Sequence, residues 1–260
     1  MPKAFAGRQS ELAALSAAFA AATVAKPQVV LLHGDAGIGK SWLIAEFLRR
    51  HAGLPVIAAA GAEGEAELSY GVVHLLAVDA LARGRTAGLP HGAAAVLADL
   101  QPERLPATAD PLAVGAGLRA LFAALAAGSP AVVVAEDMQW ADPPSASALL
   151  FACRRLADDR LLVLLSCTAE PSKGLPPAWV RFIDGDRRAS AIWLGGLADL
   201  TAQELRVARL VALGKSNRET AVELYLSPKT VEYHLGHAYA KLGVRTRYQL
   251  TMLVRAASVG

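Results

Sequence analysis

The chain has 260 residues, 54% of them hydrophobic and 19% charged, with a formal net charge of +3. Much of the apolar content is alanine, and every stretch of membrane-spanning length is broken by charges, polar groups, Gly or Pro, which speaks against a membrane span. The first residues, MPKAFAGRQSELAAL, have no long apolar core and do not read as a secretion signal, so a cytoplasmic protein is expected.

A chain of this length can hold one large hydrophobic core plus a small satellite domain. Residues 8–22 set Leu12, Leu15 and Phe19 at helical spacing behind Ser10 as a candidate N-cap. Residues 28–33, QVVLLH, form a short apolar run of the kind buried in a parallel sheet. A glycine-rich stretch follows directly, and Leu43 and Phe47 then mark a second helix. Apolar runs at 55–61, 130–137 and 161–167 predict further strands, with helices between them at roughly 67–82, 111–127 and 143–157. The passage 170–188, rich in Pro, Gly and charge, leads to a last strand at 191–197. Strands alternating with helices predict an α/β fold with a mostly parallel sheet and flanking helices. The boundary is expected near Gly195 and Gly196, giving domains 1–195 and 196–260. Cys153 and Cys167 show neither Cys-x-x-Cys nor His spacing, so both are expected to be buried thiols in a reducing compartment.

The stretch Gly34, Asp35, Ala36, Gly37, Ile38, Gly39, Lys40 and Ser41 lies between a strand and a helix, the context in which a P-loop has meaning. Its glycines let successive backbone N–H groups converge on phosphates, and the dipole of the helix starting near Lys40 adds attraction. Lys40 is expected to reach the β- and γ-phosphates and Ser41 to ligate Mg²⁺. The run AVVVAED ends a buried strand in Glu136 and Asp137, where a Walker B element would put its metal-binding and water-activating carboxylates. The one asparagine of the chain is Asn217, so no Asn-Lys-x-Asp guanine-reading motif exists and ATP is favoured over GTP.

Residues 197–260 hold nine Lys or Arg against five Asp or Glu, whereas the first 196 hold 17 against 18. A basic tail is the footprint of phosphate-backbone contact, with ordinary solvated charge as the alternative. Thr201 with Glu204, and Ser216 with Glu219, read as capping boxes, and Ser227 caps a third helix that has Pro228 at its first position. That helix puts Val231, Leu235 and Leu242 on one stripe and leaves Lys229, Glu232, Tyr233, Gly236, His237 and Lys241 off it. Gly243 closes it, and residues 245–257 make a fourth helix. A short helix, a turn and a long amphipathic helix form the geometry that enters a major groove, against a generic helical bundle as the alternative. In the fourth helix Leu250, Leu253 and Val254 are a candidate pairing surface for a homodimer on DNA, or a face packed on the third helix.

FAGRQSELAAL, GDAGIGKS, AVVVAEDMQWADPPSASALL and CRRL together resemble the ATPase module of signal-transduction ATPases with numerous domains, in the form carried by large ATP-binding LuxR regulators. The resemblance covers about residues 5–197. It implies that Gly34, Gly37, Gly39, Lys40 and Ser41 bind phosphate and metal, that Glu136 coordinates metal and that Asp137 is the catalytic acid. Asp142 is expected to cap the next helix rather than act in catalysis. Such modules commonly carry a phosphate-sensing Arg after the following strand, but here Cys167-Thr168-Ala169-Glu170 stands there. Slow or absent hydrolysis is therefore expected, unless Arg154 or Arg155 substitutes.

The tail, from LTAQELRVARL to YAKLGVRTRYQL, resembles the LuxR-type helix-turn-helix over nearly its whole length. By position, the resemblance implies that Glu232, Tyr233 and Gly236 face base edges, and that Lys229, Thr230, His237 and Lys241 lie near phosphates. Gly236 departs from the long polar residue usual on that face and weakens base readout. His234 is expected to pack in the bundle. The chain thus reads as an ATP-binding transcription regulator of duplex DNA, without room between its parts for the lid and sensor repeats of longer relatives. The alternatives are an ATPase or kinase-like enzyme with a partner-binding tail, and a DNA-binding antagonist with a vestigial ATP site.

Overall fold

The computed structural model describes residues 8–98, 110–168, 174–197, 200–242, 244 and 246–257. The chain forms two compact units, one of residues 15–33 and 40–191, the other joining residues 34–39 and 192–260 to the start of the chain.

The first unit is built on an α/β sheet. Strands β1 (Gln28–His33), β2 (Val56–Ala60), β3 (Ala131–Glu136), β4 (Leu161–Cys167) and β5 (Ala189–Trp193) lie in the order β2-β3-β4-β1-β5. The pairs β1·β4, β2·β3 and β3·β4 are parallel. β4 is buried along all seven residues, as a central strand covered on both faces must be. Register aligns the strand ends: His33 sits opposite Cys167, and Leu165 opposite Ala135. The acidic end of β3 and the end of β4 therefore share one sheet edge, the carboxyl edge at which open α/β sheets bind ligands.

Helices α1 (Gln9–Thr23), α2 (Lys40–Arg50), α3 (Gly71–Ala82), α4 (His91–Ala98), α5 (Pro111–Ala126), α6 (Pro143–Arg154) and α7 (Pro177–Gly185) complete this architecture. Ser10 lies inside α1 rather than capping it, and its hydroxyl donates to Glu11. β5 ends four residues before the expected 197. α7 falls in the Pro- and charge-rich passage read as a connection. Pro177 opens it, and Trp179, Phe182 and Ile183, at i, i+3 and i+4, enter the core.

The tail contains α8 (Ala202–Ala212), α9 (Asn217–Leu224), α10 (Pro228–Leu242) and α11 (Arg247–Ala257). Both capping boxes are formed, Thr201 with Glu204 and Ser216 with Glu219. Ser227 accepts the Thr230 N–H at 3.0 Å and so caps α10. Gly243 and Ala169 lie outside the described residues. Val207, Val211, Val231, Leu235 and Leu242 form the tail's own core, joined by Leu250 and Val254 of α11. Of the stripe read as either a pairing surface or a face packed on the third helix, Leu250 and Val254 are buried in the tail's own core and Leu253 is partly buried against it, with α11 lying against α8. Among the described residues no helix is long and apolar enough to cross a membrane.

Candidate nucleotide site and DNA-reading helix

The glycine-rich loop at 34–41 owes its path to its glycines. Gly34, Gly37 and Gly39 have φ of +153°, +74° and +97°, conformations that residues with a Cβ rarely adopt. At Gly34 a Cβ would also collide with the Leu194 carbonyl oxygen. Asp35, Ala36 and Gly37 form the exposed crest, and Ile38 and Gly39 are half-buried. Arg8 braces the loop from behind. It is 6% exposed, and its guanidinium donates to the Ile38 carbonyl at 3.1 Å, to the Gly195 carbonyl at 3.4 Å and to Glu11 at 2.8 Å. The sequence offered Arg8 only within the stretch FAGRQSELAAL, with no signal of what its guanidinium binds.

Lys40 and Ser41 begin α2, Lys40 with 6% exposure and Ser41 exposed. Lys40 and Asp137 both act electrostatically on the Cys167 thiol. Burial pushes that thiol up to about 11, the Lys40 ammonium pulls it down and the Asp137 carboxylate pushes it further up. Glu136 ends β3 half-buried, and its Oε2 is buried without a hydrogen-bond partner among the described residues. Asp137 turns the chain in the left-handed region at φ 51°. Its N–H donates to Ser166 Oγ at 3.1 Å. Gln139 Nε2 donates to Asp137 Oδ1 at 3.1 Å, while Gln139 Oε1 accepts the Thr168 N–H at 3.0 Å. Gln139 thus holds the Asp137 carboxylate and Ser166 its backbone N–H, an arrangement invisible in sequence because it joins the ends of two strands.

Asp142 is a cap. Its Oδ1 accepts from Ser145 N at 2.8 Å and from Tyr70 N at 2.7 Å, and the residue is 1% exposed. Arg155, just past the end of α6, lies with its guanidinium 3.5 Å over the ring of Phe151 in that helix. Cys153 is a buried thiol pushed up to about 12 by desolvation, and with Cys167 it is a free cysteine.

In α10 the buried stripe of Val231, Leu235, Ala238 and Leu242 leaves Lys229, Glu232, Tyr233, Gly236 and His237 exposed on the other side. Thr230 is half-buried, its hydroxyl within 2.8 Å of Ser227 Oγ. Tyr233, 62% exposed, lies against His237 with ring centroids 4.4 Å apart. His234 is half-buried. Lys241 is engaged: its Nζ donates to Glu204 Oε2 at 2.7 Å. Burial alone would raise Glu204, but the bonds from Lys241 and Thr201 hold its carboxyl below the usual range.

Residues 4–164 match the family model described as AAA ATPase domain. The chain belongs to that family. Its tail, residues 198–254, matches the model of bacterial regulatory proteins, luxR family. The Mycobacterium bovis protein Mb0914c, named as an HTH-type transcriptional regulator, is 47% identical over 66 residues, covering 25% of this chain and 7% of that protein. GfsR of Streptomyces halstedii, named likewise, is 50% identical over 50 residues, 19% of this chain and 21% of its own. The chain thus matches only a small part of the length of either relative. Among solved structures, AMPPCP-bound DnaA from Aquifex aeolicus aligns over 94% of this chain and 59% of its own, at 12% identity and a TM-score of 0.41. A tetratricopeptide-repeat STAND protein from Pyrococcus horikoshii aligns over 92% and 28%, at 15% identity and 0.40, scores from which no likeness of function follows.

Proposed function

We propose that this AAA-family chain is an ATP-binding transcription regulator that binds duplex DNA through its luxR-family tail, in the cytoplasm where both ligands reside. The observation that carries the reading is a glycine loop with three positive-φ turns running straight into Lys40, in a chain whose basic tail turns one face of α10 outward. Backbone N–H groups of Gly34, Asp35, Ala36, Gly37, Ile38 and Gly39 receive the phosphates, and Lys40 supplies a point charge for the β- and γ-oxygens. The buried, partnerless oxygen of Glu136 fits a hard divalent cation, so Glu136 and the Ser41 hydroxyl would hold Mg²⁺. When bound, Mg²⁺ neutralises phosphate charge. Asp137, fixed by Gln139, would orient a water or take its proton.

In the tail, Glu232, Tyr233 and Gly236 are assigned to base edges, and Lys229, Thr230 and His237 to phosphates. Lys241 belongs to the same set by position, with its ammonium shared with Glu204. Two copies pairing on DNA through α11 would use the face of Tyr248, which is 72% exposed, because Leu250 and Val254 are committed to the core.

Calorimetric titration with ATP and Mg²⁺ tests the site. The parent chain binds, and Lys40→Ala loses at least about tenfold in affinity, about 1.4 kcal/mol. Equal binding by Lys40→Ala contradicts the assignment. Steady-state turnover stays below about 1 per second, the low end of ordinary enzymes.

A further inference from the structure

The two glycines at the expected domain boundary do more than connect. On one side residues 194–196 lie along the phosphate loop. The Leu194 carbonyl fills the space where a Gly34 Cβ would be, a Cβ on Gly196 would come within 2.7 Å of Ile38 Cδ1, and Arg8 bonds the Ile38 and Gly195 carbonyls together. On the other side the same segment meets the last turn of α10. Trp193 Nε1 donates to the Lys241 carbonyl at 2.6 Å, and that carbonyl occupies the space of a Gly195 Cβ. The Lys241 carbonyl is one of the helix-end acceptors that α10 cannot satisfy internally, so the indole is its cap. Lys241 also fixes α10 to the start of α8 through Glu204.

We infer that residues 193–196 are a mechanical link by which occupancy of the phosphate loop sets the seating of the DNA-reading helix, with Arg8 and Trp193 as its two positioning residues. This rests on the proposed ATP and DNA binding. Phosphates drawing the loop N–H groups together shift the Ile38 carbonyl, and Arg8 carries that shift to Gly195. Gly195 has no clearance from the Lys241 carbonyl, so the end of α10 must move with it. The exposed face of Lys229, Glu232, Tyr233 and His237 stays open throughout, so the link adjusts DNA binding rather than masking it. Two sites joined in this way influence each other's affinity by the same factor.

Amide hydrogen exchange on the full chain, with and without ATP and Mg²⁺, tests the link alongside the DNA affinity. The expected result is protection of residues 34–41, a change in exchange at 239–242, and a change in DNA affinity of about fivefold or more, the low end of ordinary allosteric coupling. Trp193→Phe keeps the ring but loses the N–H. It should retain protection at 34–41, bind DNA without ATP as the parent does, and lose the response at 239–242. Arg8→Lys should likewise lose the response at 239–242. Protection of the loop with no response at 239–242 in the parent overturns the link alone. No protection of the loop overturns the ATP reading, and the link with it. An undiminished response at 239–242 in both variants also overturns it.

Discussion

Asp142 shows how one side chain can hold the starts of two helices in place. Its Oδ1 receives two backbone N–H groups, Ser145 at the start of α6 and Tyr70 before α3, in a setting closed to water. Asp142→Ala leaves both donors unsatisfied, so stability should fall by about 2 kcal/mol or more. A denaturant titration would show the lower midpoint, and Asp142→Asn should recover part of the loss. A midpoint unchanged by Asp142→Ala would show that water replaces both bonds. The capping role was legible because Asp before Pro143 is a helix-start signal. The second bond, to Tyr70, was not, because it joins residues 72 positions apart. The ion pair of Lys241 with Glu204 escaped for the same reason: a lysine off the apolar stripe of a helix reads as solvent-facing until the neighbouring helix start is placed beside it.

Elements were legible where their hydrophobic period was local. β1, β3 and β4 are apolar runs buried nearly end to end, and the glycine loop follows β1 with no intervening residue. α7 was hidden by Pro176 and Pro177, which read as loop residues even though a proline suits the first turn of a helix. β5 ends at Trp193, whose indole N–H donates to the Lys241 carbonyl, a contact no local pattern carries. α11 had two readings in sequence, a pairing face or a face packed on the third helix; Leu250 and Val254 are buried in the tail core, and the helix lies against α8, a neighbour that neither reading named. Leu250→Ala should accordingly lower the stability of the tail by about 2–5 kcal/mol, the usual range for a leucine removed from a core. Its sedimentation coefficient should not change. A shift from dimer to monomer with stability retained would return Leu250 to a pairing surface.

Over the whole chain, an AAA ATPase domain of near-neutral charge is joined to a luxR-family tail with a basic excess of four. That asymmetry was readable from composition, and it sets what the tail can do: Lys and Arg near a duplex release condensed counterions, so affinity must fall steeply with salt. The central claim is that α10 reads duplex DNA through its exposed face. The direct measurement is the affinity of the full chain for a selected duplex across a salt series. Binding should weaken linearly in the logarithm of salt concentration. Lys229→Ala should weaken binding to all sequences alike and reduce the slope by about one, while changes at Glu232 or Tyr233 should alter which sequence is preferred. Undetectable binding, or an affinity indifferent to salt and to Lys229, would contradict the account.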